Sequence, residues 1–277
     1  MGTLYLVATP IGNLQDITGR ALEILRQVRL VAAEDTRHTR KLFDHYQIRT
    51  PLVSYHEHNK LSRLAQVLAA LDEADVALVS DAGTPALNDP GYELVKAALQ
   101  AGYPVSPIPG PSAPLAALVA SGLPTDAFLY LGYLPRKTGE RRALLRKIAA
   151  LPYTLVFLET PHRLLSALLD LHTVLGDRSI AVARELTKLH EEIFRGRLSQ
   201  ALAHFGEQPP RGEITLVIEG NRAQVVWSEE QVLNLLQQRL SAGISATRSA
   251  AEVADQTGWP RRTLYRLVMQ LQKRSEN

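Results

Sequence analysis

In the stretch "VAAEDTRHTRK" (31–41) an apolar run stops at two acids, Glu34 and Asp35, followed at once by Arg37, His38, Arg40 and Lys41. A carboxylate can take a proton from a weak acid or balance a cationic ligand. A guanidinium can clamp phosphate or carboxylate through paired N–H donors. The plainer alternative is a helix start, where acids are favoured by the dipole and the arginines are their solvated partners. A second acid, Asp81, opens "SDAGTPALNDPG" (80–91), either as a ligand's counter-charge or as the cap of a turn.

Four more loops share a composition of proline, glycine and small residues: "TPIGN" (9–13), "PGPSA" (109–113), "ETPHR" (159–163) and "RELTK" (184–188). Such loops let backbone N–H and C=O groups approach a ligand closely. None is a phosphate cradle: GxxxxGK[ST] is absent, and no GxGxxG follows the first apolar run. With few cations in the loops, a zwitterionic or cationic ligand fits better than a phosphate-rich one, with Asp81 as counter-charge. "HEH" (56–58) has the look of a metal pair, but no further ligand set accompanies it, so no metal is expected. Ser112 lies in no GxSxG elbow, and His162 and His190 stand alone. The absence of cysteine excludes disulfides, thiolate metal sites and a thiol nucleophile.

These loops need strands to hold them. Apolar runs at 3–9, 29–34, 51–56, 75–81 and 103–110 alternate with helical patterns at 18–28, 39–46, 61–74 and 91–102, the last ended by Gly102. That alternation predicts a parallel α/β sheet, whose ligands sit beyond the carboxyl ends of its strands. A small-residue helix (111–124) and a strand (127–134) follow. The basic stretch 135–147 then holds six Lys or Arg, among them Arg136, Lys137, Arg141 and Arg142. The α/β rhythm resumes with strands at 153–159, 179–187 and 212–220 and helices near 162–175 and 199–206. From residue 228 the pattern is helical throughout. Ala254, Gly258 and Leu264 have helix-turn-helix spacing, and Arg261, Arg262 and Arg266 fall on the second helix.

The chain has 277 residues, 45% hydrophobic and 21% charged, enough for two cores and unlike a disordered chain. The net charge of +3 allows a polyanionic partner without demanding one. The N-terminus lacks a signal-peptide pattern, and every apolar run stops short of the roughly 18 residues a membrane span needs, so a cytoplasmic protein with no membrane partner is expected.

Taken together, "LYLVATPIGNLQDIT", "AAEDTRHT", "SDAGTPALNDPG", "PGPSA", "ARELTK" and "GEITLVIEG" resemble the tetrapyrrole-methylase-like (class III) methyltransferases. Within that superfamily they look like the branch that methylates small-subunit ribosomal RNA, and the helical tail matches that branch's layout. The resemblance implies two α/β domains, 1–124 and 125–225, with S-adenosylmethionine in the cleft between them, and a helix-turn-helix-like module at 226–277. It implies 2′-O-methylation of a cytidine ribose in the decoding region of 16S rRNA, within the 30S subunit, by a homodimer without a metal. By position it assigns the cofactor to Ile11, Gly12, Asp81, Thr84, Ser112 and Ala113. In the second half it assigns Leu158, Glu159, Leu186, Glu213 and Ile214. A neutral 2′-hydroxyl needs a base, and Glu34, Asp35, Glu159 and Lys188 remain open candidates; a carboxylate would need a raised pKa and a lysine a lowered one. Arg37 would clamp phosphate or ribose. Arg136, Lys137, Arg141, Arg142, Arg261, Arg262 and Arg266 would grip RNA.

Overall fold

The computed structural model describes residues 1–208, 210–221 and 227–275. It divides into two compact units, 1–221 and 222–277. The first holds two five-stranded sheets.

The first sheet is built from β1 (Leu4–Val7), β2 (Leu30–Ala33), β3 (Leu52–Ser54), β4 (Val76–Val79) and β5 (Val105–Ile108), in the order β3-β2-β4-β1-β5 and parallel throughout. Its strands are apolar on both faces because helices cover both. Val7, Val31, Ala77 and Val79 pack under α1 (Gly19–Gln27) and α2 (Thr36–His45). The alternate residues Leu4, Ala32, Val76 and Leu78 pack under α3 (Lys60–Glu73) and α4 (Tyr92–Gln100). Local signals set the helix ends. The Thr18 hydroxyl accepts the Ala21 N–H at 3.1 Å at the start of α1, and Gly102 (φ +84°) follows α4. Connections leave the adjacent strands β1 and β4 in opposite directions, which opens a crevice at their carboxyl ends.

The second sheet follows α5 (Ala113–Ala120). It contains β6 (Phe128–Tyr133), β7 (Thr154–Glu159), β8 (Ser179–Arg184), β9 (Glu192–Arg197) and β10 (Ile214–Ile218), in the order β6-β7-β10-β8-β9. Only β6 and β7 run parallel; β10 inserts antiparallel between β7 and β8, and β8 and β9 form a hairpin. The strand-helix rhythm does not announce this mixed sheet. Strand β9, "EIFRGR", has no fully buried residue and reads as a loop in the sequence. One face carries α6 (Thr138–Ile148), α7 (Pro161–Leu175) and α8 (Leu198–Glu207) over Phe157, Val182 and Leu216. On the other face Val156, Ala181 and Val217 meet Ala117 and Leu118 of α5, and Ile11 from the loop after β1. The small side chains of α5 permit that close approach. The division expected near residues 122–127 falls in the link between α5 and β6.

The second unit holds α9 (Glu229–Ser241), α10 (Ala246–Thr257) and α11 (Arg261–Ser275) around Val232, Leu236, Val253, Leu264 and Val268. Ser228 and Gln231 form a reciprocal cap at the start of α9. Gly258 takes the left-handed conformation (φ +72°) between α10 and α11, and Leu264 is fully buried, as the helix-turn-helix spacing requires. The expected start of this module, at residue 226, lies outside the described residues. Among the described residues no helix is long and apolar enough to cross a membrane.

Candidate active site

The loops at the carboxyl edge of the first sheet are tied to one another through their backbones. Thr9 and Gly83 exchange N–H···O bonds, each 2.9 Å, so the loops after β1 and β4 lie side by side. Gly83 has φ +80°, a conformation that favours glycine. The Asp35 N–H donates to Asp81 Oδ1 at 3.0 Å, and the Asp81 N–H donates to Glu34 Oε2 at 3.4 Å, which joins the loops after β2 and β4. The loop after β4 also holds Ala86 and Asn88 at φ +66° and +67°, and "RELTK" holds Glu185 and Thr187 at +49° and +66°. Left-handed backbone at non-glycine residues is costly and tends to gather at working sites.

Further bonds reach the second sheet. The Asn13 N–H donates to Thr187 Oγ1 at 3.0 Å. A Cβ on Gly12 would fall 2.4 Å from Lys188 Cγ and 2.9 Å from the Leu186 carbonyl, so only glycine lets these loops interlock. The Tyr130 hydroxyl donates to Asn88 Oδ1 at 2.7 Å, and the Asn88 amide fills the space where a side chain on Gly132 would stand.

Between these loops and the ends of β6, β7 and β10 lies one cleft. It gathers Ile11, Asp81, Thr84, Ser112 and Ala113 from the first half with Leu158, Glu159, Glu213 and Ile214 from the second, and Glu34 also lines it. Gly12 and Leu186 do not line it; they belong to the interlocked loops after β1 and β8. Asp89, Asn88, Tyr130 and Tyr133 line the cleft and went unnoticed in the sequence. Asp89 could have been found as the second acid of "SDAGTPALNDPG". The tyrosines could not: residues three apart on a regular strand face opposite sides. Here the pairing of β6 with β7 shifts register between Tyr130 and Tyr133, around Gly132 at φ +62°, and both rings face the cleft.

Glu34, Asp81, Asp89, Glu159 and Glu213 make the cleft strongly acidic, and among the described residues lining it there is no lysine, arginine or histidine. Burial raises the Glu34 pKa above the usual carboxylate range, and the nearby Asp89 and Asp81 raise it further. Burial also raises Asp89, reinforced by Asp81 and Glu213 against the Ser80 hydroxyl. For Glu159 burial outweighs the Thr160 N–H and Arg163, and its Oε2 is a buried atom with no hydrogen-bond partner. The Tyr130 hydroxyl is pushed up to about 12, chiefly by burial. So negative a lining suits a ligand that brings positive charge. Outside the cleft, the His56 and His58 rings are 6.0 Å apart, but among the described residues no group of three or more His, Asp or Glu is placed to hold a metal ion.

Several expected residues are placed where the expected chemistry does not suit them. Asp35 caps α2: its carboxylate accepts the Arg37 N–H at 2.8 Å and the guanidinium at 2.7 and 3.1 Å. Arg37 holds the Asp35 pKa far below the carboxylate range, the reverse of what a base needs. Arg37 is thereby occupied by Asp35, with its side chain 89% exposed. Lys188 lies 2.8 Å from Glu185 and 3.3 Å from Glu213. Burial works to lower its pKa, but these acids outweigh it and the net shift is upward, so it is a fixed cation and a poor base. Arg141 is 2% exposed, within 2.5 Å of the equally buried Asp170, and donates to the carbonyls of Pro135 and Arg136; it braces the basic stretch and cannot touch RNA. Arg142 is half-buried and shares Asp170 at 2.6 Å. Arg136, Lys137, Arg261, Arg262 and Arg266 are exposed.

Residues 3–202 match the family model of the tetrapyrrole (corrin/porphyrin) methylases, and residues 228–272 match that of the RsmI C-terminal HTH domain. A protein of Synechocystis sp. named ribosomal RNA small subunit methyltransferase I is 49% identical over 98% of this chain and 99% of its own length. Its namesake in Micromonospora olivasterospora is also 49% identical, over 99% of this chain and 88% of its own length. Among solved structures, uroporphyrin-III C-methyltransferase from Thermus thermophilus, complexed with S-adenosyl homocysteine, shares the fold with a TM-score of 0.55 at 23% identity, over 79% of this chain and 97% of that one.

Proposed function

Since the chain belongs to the ribosomal RNA small subunit methyltransferase I family of the tetrapyrrole methylases, we propose that it moves a methyl group from S-adenosylmethionine to a cytidine 2′-oxygen in the decoding region of 16S rRNA. The observation that carries this reading is the cleft with five carboxylates and, among its described lining residues, no cation. S-adenosylmethionine has no phosphate and bears a sulfonium and an ammonium, so it fits where a nucleotide phosphate would be repelled. When bound, it supplies a methyl group already activated by that sulfonium.

The chain's residues then have three tasks. Asp81, Asp89 and Glu213 offset the positive charge, and the unpartnered Oε2 of Glu159 offers an acceptor on the opposite wall. Ile11, Leu158 and Ile214 supply the apolar surface that excludes water. Glu34 takes the ribose hydroxyl proton as the oxygen gains its methyl; its raised pKa makes it a better base than an ordinary carboxylate. Glu34 is chosen over Asp35 because Arg37 has quenched the basicity of its neighbour. Positioning the acceptor is the other main source of rate.

RNA is held through the exposed cations Arg136, Lys137, Arg261, Arg262 and Arg266. Phosphate contacts supply affinity, while the shape of the small subunit and its unstacked bases supply selectivity. The protein works in the cytoplasm, on the assembled 30S subunit and as a homodimer. The test is to incubate it with methyl-labelled S-adenosylmethionine and 30S subunits lacking the modification, then map the label. One labelled cytidine ribose in the decoding region is expected; label on a base, or none in rRNA, overturns the reading.

A further inference from the structure

A second hollow lies against the acidic cleft, and the two share a wall made by Ile11, Asp81, Ala82 and Glu213. Its lining differs from the first: outside the shared wall it is apolar and basic. Pro10, Leu14 and Leu42 give it an apolar lining, and its basic groups are His38, Lys41 and Lys188. His38 and Lys41 are exposed and three residues apart on α2, hence neighbours on one face. Lys188 is kept protonated by Glu185 and Glu213.

This pairing has a chemical reason. The donor is cationic and the acceptor belongs to a polyanion, so one undivided pocket could not suit both. Two adjoining hollows of different lining can each hold one reactant, with the reacting atoms meeting at about 3 Å past the edge of the shared wall rather than through it. The second hollow also answers a need of the reaction: a ribose inside a continuous stack is hard to reach, and an extruded nucleotide needs an apolar surface for its base and cations for its phosphates.

We propose that the hollow seats the nucleotide to be methylated. Its base lies on Pro10, Leu14 and Leu42, its flanking phosphates are met by His38 and Lys41, and its 2′-hydroxyl stands at the edge of the wall beside Asp81, whose N–H donates to Glu34 on the cleft side. This rests on the reading of ribose methylation given above.

The experiment measures methyl transfer to 30S subunits and, separately, S-adenosylhomocysteine binding by calorimetry, for the native protein and three variants. Replacing His38 by Ala and Lys41 by Glu together alters only exposed side chains. Leu14→Trp fills the hollow. Lys96→Glu reverses an equally exposed cation on α4, away from either hollow. The double variant is expected to raise KM for subunits on the order of tenfold or more, with a weaker salt dependence. S-adenosylhomocysteine affinity should stay within about twofold, because both residues lie outside the acidic cleft. Lys96→Glu should behave as native, and Leu14→Trp should lose most of its transfer while keeping its cofactor affinity. The proposal is overturned if the double variant matches Lys96→Glu, or if it loses S-adenosylhomocysteine binding in step with transfer, since the hollow would then serve the cofactor. Native protein that transfers no methyl to rRNA overturns the underlying reading as well, and that arm separates the two failures.

Discussion

The acidic cleft and the helical C-terminal unit both depend on charge, and they use it in opposite ways. In the cleft, carboxylates are drawn out of water and crowded, and Glu34, Asp89 and Glu159 have raised pKa values as a result. On α11, Arg261, Arg262 and Arg266 stand in solvent. Desolvated charges can take part in chemistry because their protonation is poised; solvated charges hold a polyanion and exchange counterions for it. The contrast teaches that a residue's charge says less about its task than its exposure does.

The largest effect should come from the acid assigned as the base. Glu34→Gln should lower kcat about 10²- to 10⁴-fold, the usual worth of a general base. Because the folded protein raises this pKa, native kcat should fall as pH drops through that raised value, and the glutamine variant should lose this limb of the profile. Equal pH profiles for the two proteins would remove Glu34 as the base.

Next comes a charge that the sequence grouped with the wrong region. Arg141→Ala strips Asp170 of its fully buried partner, leaving only the half-buried Arg142, and should cost up to about 3–5 kcal/mol of unfolding free energy, the typical penalty for breaking a buried ion pair. Replacing Arg136 and Lys137 should leave denaturant midpoints nearly unchanged. If all three proved equally harmless to stability, the division between braced and solvated cations in this stretch would fail.

The smallest effect belongs to the tail. Replacing Arg261, Arg262 and Arg266 by Ala together should weaken 30S binding on the order of tenfold and reduce the slope of log K against log salt by about 2 to 3. Cofactor affinity and the kcat of bound subunits should not move. A loss of kcat in this variant would show that the tail positions substrate as well as holding it.

The first sheet was largely readable because each parallel strand is buried on both faces and separated from the next by a helix. The acids of the cleft were readable too, since "EDTRHT" and "SDAGTP" place them just past strand ends. What distinguishes Glu34 from Asp35 was not, because it depends on which neighbour the N-cap geometry turns toward Arg37. Arg141 was misread for a related reason: nothing in "GERRALLRK" tells which arginine faces α7 until the helix is docked. Strand β9 escaped because an edge strand with polar, half-exposed residues carries no burial pattern. The second hollow was not legible as a hollow, because its members come from five separate segments that only the fold brings together.

The shifted pairing at Gly132 has a consequence for how this protein can vary. Both cleft tyrosines of β6 face inward through a single irregularity, so the backbone conformation at Gly132 encodes part of the cleft wall alongside the identity of the tyrosines. Exchanging Tyr133 for another aromatic would leave the wall standing. Replacing Gly132, whose φ of +62° and close approach to Asn88 favour glycine, would press the strand toward regular pairing at unchanged length and turn one of the tyrosines to the opposite face. Divergence along this strand should therefore keep Gly132 for as long as the two tyrosines stay three residues apart.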